Sequence, residues 1–188
     1  MDPVELATRE TAIEGLVVIT MKQVSDERGT VRELFRRSTF EAAGVTALGP
    51  FVQLNVTETR PGALRGMHAE AMTKLVAVVA GEAFGAYVDL RRTSPTYGVV
   101  ETVTLVPGIQ VIVPSGVGNG FQAVAPATQY AYCLDEEWQP GMAGLACNPL
   151  DPALGIAWPM PIDPADRSQV SAKDLAAPYF ADLAGAGA

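Results

Sequence analysis

Histidine is almost absent from this sequence of 188 residues, which contains only one, His68. Metal sites in enzymes are often built from two or three histidines, so a single subunit cannot form a site of that kind. A Ser-His-Asp triad is possible only if His68 is its base. Because imidazole titrates near neutral pH, His68 is the first candidate for a general base.

Cysteine, positive charge and long apolar runs are scarce as well. Two cysteines do not make a disulfide framework, and the N-terminus lacks the basic start and apolar run of a signal peptide. The chain has 13 basic and 21 acidic residues, and its net charge of −8 disfavours binding to nucleic acid or to an anionic membrane. The longest apolar region, residues 75–88, contains Glu82 and is shorter than the roughly 18 residues of a membrane helix. We therefore expect a cytoplasmic protein that binds neither nucleic acid nor membrane.

Short strands separated by turns dominate the rest of the sequence. Apolar or alternating runs rich in β-branched residues predict strands, which cover residues 15–20, 51–59, 74–79, 83–90, 99–106, 109–113 and 129–134. One short helix is predicted with Ser38 as its cap, and another near Ser171. The glycine-dense stretch between Pro114 and Phe121 predicts a tight barrel corner. This pattern is typical of an all-β sandwich or barrel, followed after Pro149 by a tail wrapped on it.

Several polar residues near His68 are candidates for a site. Arg65 can pair with a phosphate or a carboxylate, Lys74 opens an apolar strand, and Gln53 and Asn55 share one strand face. Each also has a simpler role, because a lysine can extend to solvent and a polar strand face can be solvated. A lone histidine is itself more often structural than catalytic.

Two further residues keep a structural alternative. Tyr132 shares a strand face with Tyr130 and Leu134, where it is a core aromatic or, if it lines a cavity, a general acid. Asp174 follows Ser171 by three residues, which is the spacing of a capping box. Its carboxylate can also hydrogen-bond an imidazole.

Short motifs follow one another in a characteristic order along the chain. They are Asp26-Glu27-Arg28-Gly29 with Glu33, Leu64-Arg65-Gly66-Met67-His68, Lys74-Leu75-Val76, Val88 to Gly98, Gly155 to Pro159 and Ser171-Ala172-Lys173-Asp174. In this order and spacing the motifs resemble the nucleotide-sugar 3,5-epimerases that act on dTDP-4-keto-6-deoxyglucose in the rhamnose pathway, with their antibiotic-sugar relatives. The resemblance extends from Asp26 to Pro178.

The resemblance implies a fold and an assembly. The fold is all-β, a cupin-type double-stranded β-helix (jelly roll) with short helices and a C-terminal tail packed on the barrel. The chain is then a single domain over residues 1–188, with a jelly-roll core at about 15–148 and a wrapping segment at 149–183. The assembly is a homodimer in which N-terminal strands are exchanged. The resemblance implies no metal and no cofactor.

The resemblance also implies catalytic roles. His68 matches the base that removes a proton next to the C4 ketone, and Asp174 matches the carboxylate that orients this imidazole. Lys74 matches the cation near the C4 oxygen. Tyr132 matches the acid that returns a proton from the opposite face.

Eight other residues are expected to bind the substrate: Arg28, Glu33, Gln53, Asn55, Arg65, Asn119, Trp138 and Lys173. Six of them match family positions. Asn119 stands where the family usually has histidine, and it can donate a hydrogen bond but cannot titrate. Glu137-Trp138 stands where the family has an aromatic pair, and Trp138 can still stack on a nucleotide base. Ala143 replaces a usual glutamate.

The expected activity is therefore epimerisation of a nucleoside-diphosphate-linked 4-keto-6-deoxyhexose, with a dTDP-linked sugar as the expected substrate. It would invert C3, C5 or both. One alternative is a single-centre epimerase of antibiotic or surface deoxysugar biosynthesis. Others are a non-catalytic jelly roll that binds sugar nucleotides and a metal-dependent cupin.

Overall fold

The computed structural model describes residues 2–45 and 49–185, and most of its regular structure is β-strand. The strands are β1 (Asp2–Val4), β2 (Ala7–Glu10), β3 (Val17–Thr20), β4 (Gln23–Asp26), β5 (Gly29–Arg32), β6 (Gln53–Thr59), β7 (Leu64–Glu70), β8 (Lys74–Ala80), β9 (Ala83–Asp89), β10 (Val100–Leu105), β11 (Ile109–Val113), β12 (Val117–Ala123), β13 (Thr128–Leu134) and β14 (Gly144–Ala146). The helices are α1 (Arg37–Ala42), α2 (Ala172–Leu175) and α3 (Phe180–Gly185), with a 3-10 turn at Pro152–Leu154.

Antiparallel pairing joins these strands into two main sheets and one small sheet. The six-stranded sheet has the order β2-β3-β11-β8-β13-β6, and the five-stranded sheet has the order β10-β9-β12-β7-β14. Strands β1, β4 and β5 form a separate three-stranded sheet. Between β6 and β13 the chain passes repeatedly from one main sheet to the other, which is the connectivity of a jelly roll.

The main core lies between the two large sheets. Val76 and Val111 point inward from the six-stranded sheet and meet Tyr87 and Val117 from the five-stranded sheet, and all four are fully buried. Alternation along each strand accounts for this arrangement, since every second side chain faces the same side. The opposite faces of both sheets therefore need their own covers.

Those covers come from the tail and from α1. Trp158 and Phe180 of the C-terminal segment pack on the outer face of the five-stranded sheet, against residues such as Val88. Phe40 of α1 packs on the outer face of the six-stranded sheet, against Ile112. The tail thus closes one side of the barrel and also carries α2 to its edge. Within the described residues, no helix is long and apolar enough to cross a membrane.

The glycine-dense segment after Pro114 is mostly a strand, so the predicted barrel corner is wrong beyond Gly116. It forms β12, which pairs with β7 and β9 in the middle of the five-stranded sheet. A Cβ atom on Gly118 would lie 2.7 Å from Val88, and one on Gly120 would lie 2.5 Å from the sulfur of Met67. These glycines therefore make room for neighbouring side chains in the sheet.

Two other local expectations need correction. Helix α1 starts at Arg37, and Arg36 is its N-cap without a side-chain hydrogen bond, so Ser38 lies inside the helix and does not cap it. The segment that carries His68 is itself a strand, β7, held by its neighbours β12 and β14. Strands β1 and β2 have weak sequence signals because their side chains contribute little to the core, and β2 is exposed along its whole length.

Candidate active site

A cavity of about 920 Å³ lies between the two main sheets. Strands β6, β8 and β13 line it from the six-stranded sheet, and β7 and β12 line it from the five-stranded sheet. The segment 167–174 of the tail forms a further wall. Its floor includes Phe121 and Tyr130, whose rings stack with centroids 3.9 Å apart and separate the cavity from the core. This volume is in the range of pockets that hold small organic ligands, roughly 300–1,000 Å³.

His68 and Asp174 meet at the edge of this cavity. Helix α2 carries Asp174, and its N-cap Ser171 accepts a hydrogen bond from the Asp174 backbone N–H. The Asp174 carboxylate does not close a capping box but bonds His68, with Nε2 and Oδ1 2.7 Å apart. Because a carboxylate only accepts, Nε2 carries the proton, and the lone pair of Nδ1 has no partner among the described residues. The imidazole is thus prepared to accept a proton at Nδ1.

The environment of Asp174 keeps it ionised. Its side chain is 7% exposed, whereas that of His68 is 36% exposed. Burial opposes the charge on Asp174, but hydrogen bonds to the carboxylate, chiefly the one from His68, outweigh burial and hold the pKa of this carboxyl below its usual value. The ionised carboxylate accepts the hydrogen bond from Nε2 of His68.

A close approach between β7 and β12 sets the position of His68. Gly66 has a φ of +123°, and a Cβ atom there would lie 2.5 Å from Cα of Gly120. Only glycine avoids this backbone clash and adopts this φ without strain. The register shifts between Asn119 and Phe121, and Asn119 is directly opposite His68.

Lys74 brings a cation from the opposite sheet. It is the first residue of β8, and although it is only 5% exposed it lines the cavity. Its Nζ donates to the backbone oxygen of His68 at 3.1 Å and to the carboxylate of Glu70. Burial disfavours the charged form of Glu70, yet the charge and the hydrogen bond of Lys74 keep the pKa of Glu70 below its usual value.

Tyr132 lines the same cavity from the six-stranded sheet. It lies in β13, between Val76 of β8 and Asn55 of β6. His68 belongs to the five-stranded sheet, so the phenol and the imidazole face one ligand space from opposite sheets. A base on one wall and an acid on the other can remove a proton from one face of a carbon and return it to the opposite face.

Most of the predicted binding residues also line this cavity, namely Gln53, Asn55, Arg65, Asn119, Trp138 and Lys173. Four of them have contacts that fix their positions. Arg65 Nε donates to Thr59 Oγ1 at 3.1 Å, and Gln53 accepts a hydrogen bond of 2.7 Å from the Trp138 backbone N–H. Tyr130 donates to Asn119.

The other two predicted binding residues, Arg28 and Glu33, do not line the cavity of this chain. The side chain of Arg28 is 89% exposed and pairs with Asp26, while Glu33 accepts a hydrogen bond of 2.6 Å from Arg36. Both lie at the three-stranded sheet, which is separate from the two main sheets. A single chain therefore does not bring them to His68.

The structure adds cavity residues that the sequence reasoning missed. Glu70 is two residues after His68, so a strand assignment for β7 would have placed both on one face. Arg167 lies in the irregular tail, where no periodic pattern indicates its direction. Among the described residues, no group of three or more His, Cys, Asp and Glu side chains is arranged to hold a metal ion.

The family model described as dTDP-4-dehydrorhamnose 3,5-epimerase matches residues 10–182 of this chain. The chain belongs to the dTDP-4-dehydrorhamnose 3,5-epimerase family. It is 34% identical over 178 residues to the dTDP-4-dehydrorhamnose 3,5-epimerase of Salmonella typhimurium. The matched region covers 91% of this chain and 93% of the relative. The isomerase class predicted from the sequence is therefore confirmed.

Solved structures of this epimerase family have the same fold. The dTDP-6-deoxy-D-glucose-3,5-epimerase of Legionella pneumophila, in complex with dTDP-4-keto-L-rhamnose, is 33% identical with a TM-score of 0.83, covering 95% of this chain and 97% of that one. A 3′-monoepimerase of Streptomyces bikiniensis, in complex with dTDP-quinovose, is also 33% identical with a TM-score of 0.82, covering 94% and 89%. The predicted cupin-type jelly roll is confirmed by these similarities.

Proposed function

We propose that this protein epimerises a dTDP-linked 4-keto-6-deoxyhexose at C3, at C5 or at both carbons. The observation that carries this proposal is the placement of His68, hydrogen-bonded to Asp174, and Tyr132 on opposite walls of one cavity. The two related enzymes described above were crystallised with dTDP-linked sugars, which supports a substrate of the same class.

The chemistry requires only protons to move. A hydrogen on a carbon next to a ketone is acidic because the resulting enolate places its charge on oxygen. Nδ1 of His68 takes this proton, and Tyr132 supplies another to the opposite face, which inverts the carbon. Solvent then takes the proton from His68 and returns one to Tyr132, which restores the starting state. Lys74 donates to the enolate oxygen, and one such preorganised donor contributes roughly 3 kcal/mol to a reaction of this type. No electron is gained or lost, so the proposed reaction needs no redox cofactor.

Local positive charge accounts for the way an acidic chain would hold an anionic ligand. Arg65, Arg167 and Lys173 all line the cavity, while the net charge of the chain is −8. These cations suit the diphosphate, and Trp138 suits the nucleotide base by stacking. Binding energy from this remote part of the substrate positions the sugar between His68 and Tyr132.

The proposal includes a homodimer in the cytoplasm. The side chains of Val31 on β5 and Leu54 on the edge strand β6 are 77% and 59% exposed, as expected for surfaces that a second copy covers. In a dimer that exchanges its N-terminal strands, Arg28 and Glu33 would serve the cavity of the partner. Cys133 and Cys147 are both free and buried, in keeping with a reducing compartment.

The decisive experiment follows carbon-bound hydrogen by NMR in deuterated water. The full-length protein is incubated with a panel of 4-keto-6-deoxy nucleotide sugars that differ in nucleotide and in sugar. Deuterium at both C3 and C5 supports double inversion. Deuterium at a single carbon supports the single-centre alternative, to which the similarity to the 3′-monoepimerase lends weight.

A His68→Asn variant provides the matched control, because asparagine keeps a hydrogen-bonding side chain but is not a base. We expect it to lose solvent exchange while binding dTDP with an affinity close to that of the native protein. Exchange that persists in His68→Asn would overturn the assignment of the base. A native protein that binds dTDP but exchanges no hydrogen in any sugar of the panel would support the non-catalytic alternative.

A further inference from the structure

The cavity holds one carboxylate, Glu70, to which the proposed reaction assigns no task. Glu70 ends β7 two residues after His68, so the two side chains share a strand face. Its side chain is 24% exposed and lines the cavity. A partly buried carboxylate near a reacting enolate is electrostatically unfavourable, so its presence there calls for a function that offsets this cost.

The contacts of Lys74 indicate that function. Lys74 reaches the site from β8 of the six-stranded sheet, but both acceptors of its Nζ belong to β7 of the five-stranded sheet. They are the backbone oxygen of His68, at 3.1 Å, and the carboxylate of Glu70. An ammonium has three N–H donors, and the described residues provide acceptors for two. The third is free for an oxygen of a ligand.

We propose that Glu70 is a positioning residue that ties the Lys74 ammonium to the strand carrying the base. This inference rests on the proposed function. Because two N–H groups of Lys74 bond to β7, the direction of the third N–H is fixed relative to the imidazole of His68. In the substrate, the C4 oxygen and the hydrogen on the neighbouring carbon also lie at a fixed distance from each other. A single orientation of the sugar can therefore place the oxygen at Lys74 and the hydrogen at His68.

Two rival roles for the Glu70–Lys74 pair lead to different results. If the pair only clamps the two sheets together, its loss lowers thermal stability but leaves turnover by the folded protein unchanged. If the negative charge of Glu70 is what matters, aspartate preserves function better than glutamine. If Glu70 positions Lys74, glutamine is the better replacement, since its amide oxygen has the same reach and accepts the same hydrogen bond.

The test compares steady-state kinetics of Glu70→Gln, Glu70→Asp and Glu70→Ala in the full-length protein, with dTDP affinity and Tm measured for each. Glu14→Ala is the control, because Glu14 is an exposed glutamate between β2 and β3 that does not line the cavity. A misplacement of about 1 Å can cost about 100-fold in rate, so we expect kcat to fall about 10- to 100-fold in Glu70→Ala. The Kd for dTDP should change by less than about threefold, since dTDP lacks the sugar that Lys74 contacts. KM should also change by less than about threefold, since the loss is expected in the transition state. Glu70→Gln should retain most of kcat, and Glu70→Asp less.

Each other outcome overturns the inference. An unchanged kcat in Glu70→Ala with a lower Tm would leave only the clamp, and a raised KM at constant kcat would make Glu70 a ligand contact. A higher kcat in Glu70→Asp than in Glu70→Gln would show that the negative charge of Glu70 is what matters. This comparison distinguishes charge from positioning even if Glu70→Ala does not fold. If the native protein is inactive on every keto sugar, the proposed reaction itself is overturned. If the native protein is active and the Glu70 variants have the same kcat, only this inference is overturned.

Discussion

The hydroxyl of Tyr130 donates a hydrogen bond of 3.1 Å to Oδ1 of Asn119. Tyr130 is 1% exposed and belongs to the six-stranded sheet, whereas Asn119 belongs to the five-stranded sheet and is opposite His68. The bond therefore crosses the cavity floor. Because the amide oxygen is occupied, the Asn119 N–H groups are the part of this side chain that remains for a ligand. The asparagine is a neutral donor with a fixed orientation.

Tyr130→Phe tests this orientation. The variant keeps the stacked ring but removes the donor to Oδ1 of Asn119, and a hydrogen bond of this kind contributes about 0.5–1.5 kcal/mol. We expect the free energy of unfolding in urea to fall by that amount and KM for the keto sugar to rise, because the amide is free to rotate. Tyr179→Phe, at a ring that is 49% exposed, is the control and should leave both quantities unchanged. Equal stability of Tyr130→Phe and the native protein would contradict the assigned bond.

The sequence predicted the strands that are continuous apolar runs, such as β8 and β9, and those whose side chains alternate, such as β6. In β6, Gln53 and Asn55 do share a half-buried face, as the alternation indicated. Strand β7 was missed because Arg65-Gly66-Met67-His68 has little intrinsic strand preference. It becomes a strand because β12 and β14 supply hydrogen bonds on both sides, and tertiary pairing of this kind overrides local propensity.

The candidate site was predictable only in part, for a similar reason. His68 and Asp174 are separated by 106 positions, so no local pattern connects them, and the family resemblance alone suggested the pair. The same resemblance assigned Arg28 and Glu33 to substrate binding, which stays a prediction because one chain does not bring them to the cavity. Glu70 was missed because β7, which places it on the same strand face as His68, was not predicted as a strand.

Asp174→Asn should reduce turnover without abolishing substrate binding. Asparagine has nearly the same shape, but it carries no charge to stabilise the imidazolium and does not enforce the proton on Nε2 of His68. Removing a partner of this kind costs about 10- to 100-fold or more, so we expect kcat to fall by about 100-fold with KM within about threefold. Steady-state kinetics and dTDP binding by calorimetry check both numbers.

Asp163→Asn is the control for this prediction. Asp163 is an exposed tail aspartate whose carboxylate accepts a hydrogen bond from the Ala165 N–H, outside the cavity. It should keep native kinetics. A full-rate Asp174→Asn enzyme would mean that His68 works without a charged partner, and the role of Asp174 would then be limited to the end of α2.

Gly66→Ala should destabilise the fold much more than an alanine at another glycine with positive φ. A Cβ at Gly66 would lie 2.5 Å from Cα of Gly120 and 2.7 Å from the Asn119 backbone oxygen, and neither can move without separating β7 from β12. Gly29 has a similar φ, +136° against +123°, but nothing lies within 4 Å of its Cβ position.

The pair of variants therefore separates steric clash from backbone strain. We expect Gly29→Ala to cost about 1 kcal/mol through strain alone, and Gly66→Ala to cost at least about 3 kcal/mol through strain and overpacking. Chemical denaturation of both measures the difference. If both variants lose a similar free energy of unfolding, the close approach of β7 and β12 does not restrict the side chain at position 66.

Asp89→Asn should destabilise the fold at neutral pH, far from the candidate site. The Asp89 carboxylate is fully buried and accepts hydrogen bonds from Arg91, Ser94 and Thr96. Burial opposes its charge, but these donors outweigh burial and hold the pKa of Asp89 far below the ordinary 3.8. An asparagine cannot satisfy all of them, and it leaves Arg91 without its partner. We expect a loss of about 3 kcal/mol in the free energy of unfolding at pH 7.

The lowered pKa of Asp89 determines how the stability difference between the native protein and Asp89→Asn depends on pH. A carboxyl whose pKa is lower in the folded state stabilises the fold above its unfolded pKa, and this contribution disappears as pH falls through the folded pKa. The gap between the native protein and Asp89→Asn should therefore be constant from pH 5 to pH 8, as an order-of-magnitude window, and shrink below about pH 4. Glu101→Gln, which removes an ion pair of 3.8 Å with the exposed Arg9, should cost less than about 1 kcal/mol throughout. Urea denaturation of all three proteins at each pH measures these gaps, and a gap for Asp89→Asn that widens towards acid pH would contradict a carboxylate stabilised by its donors.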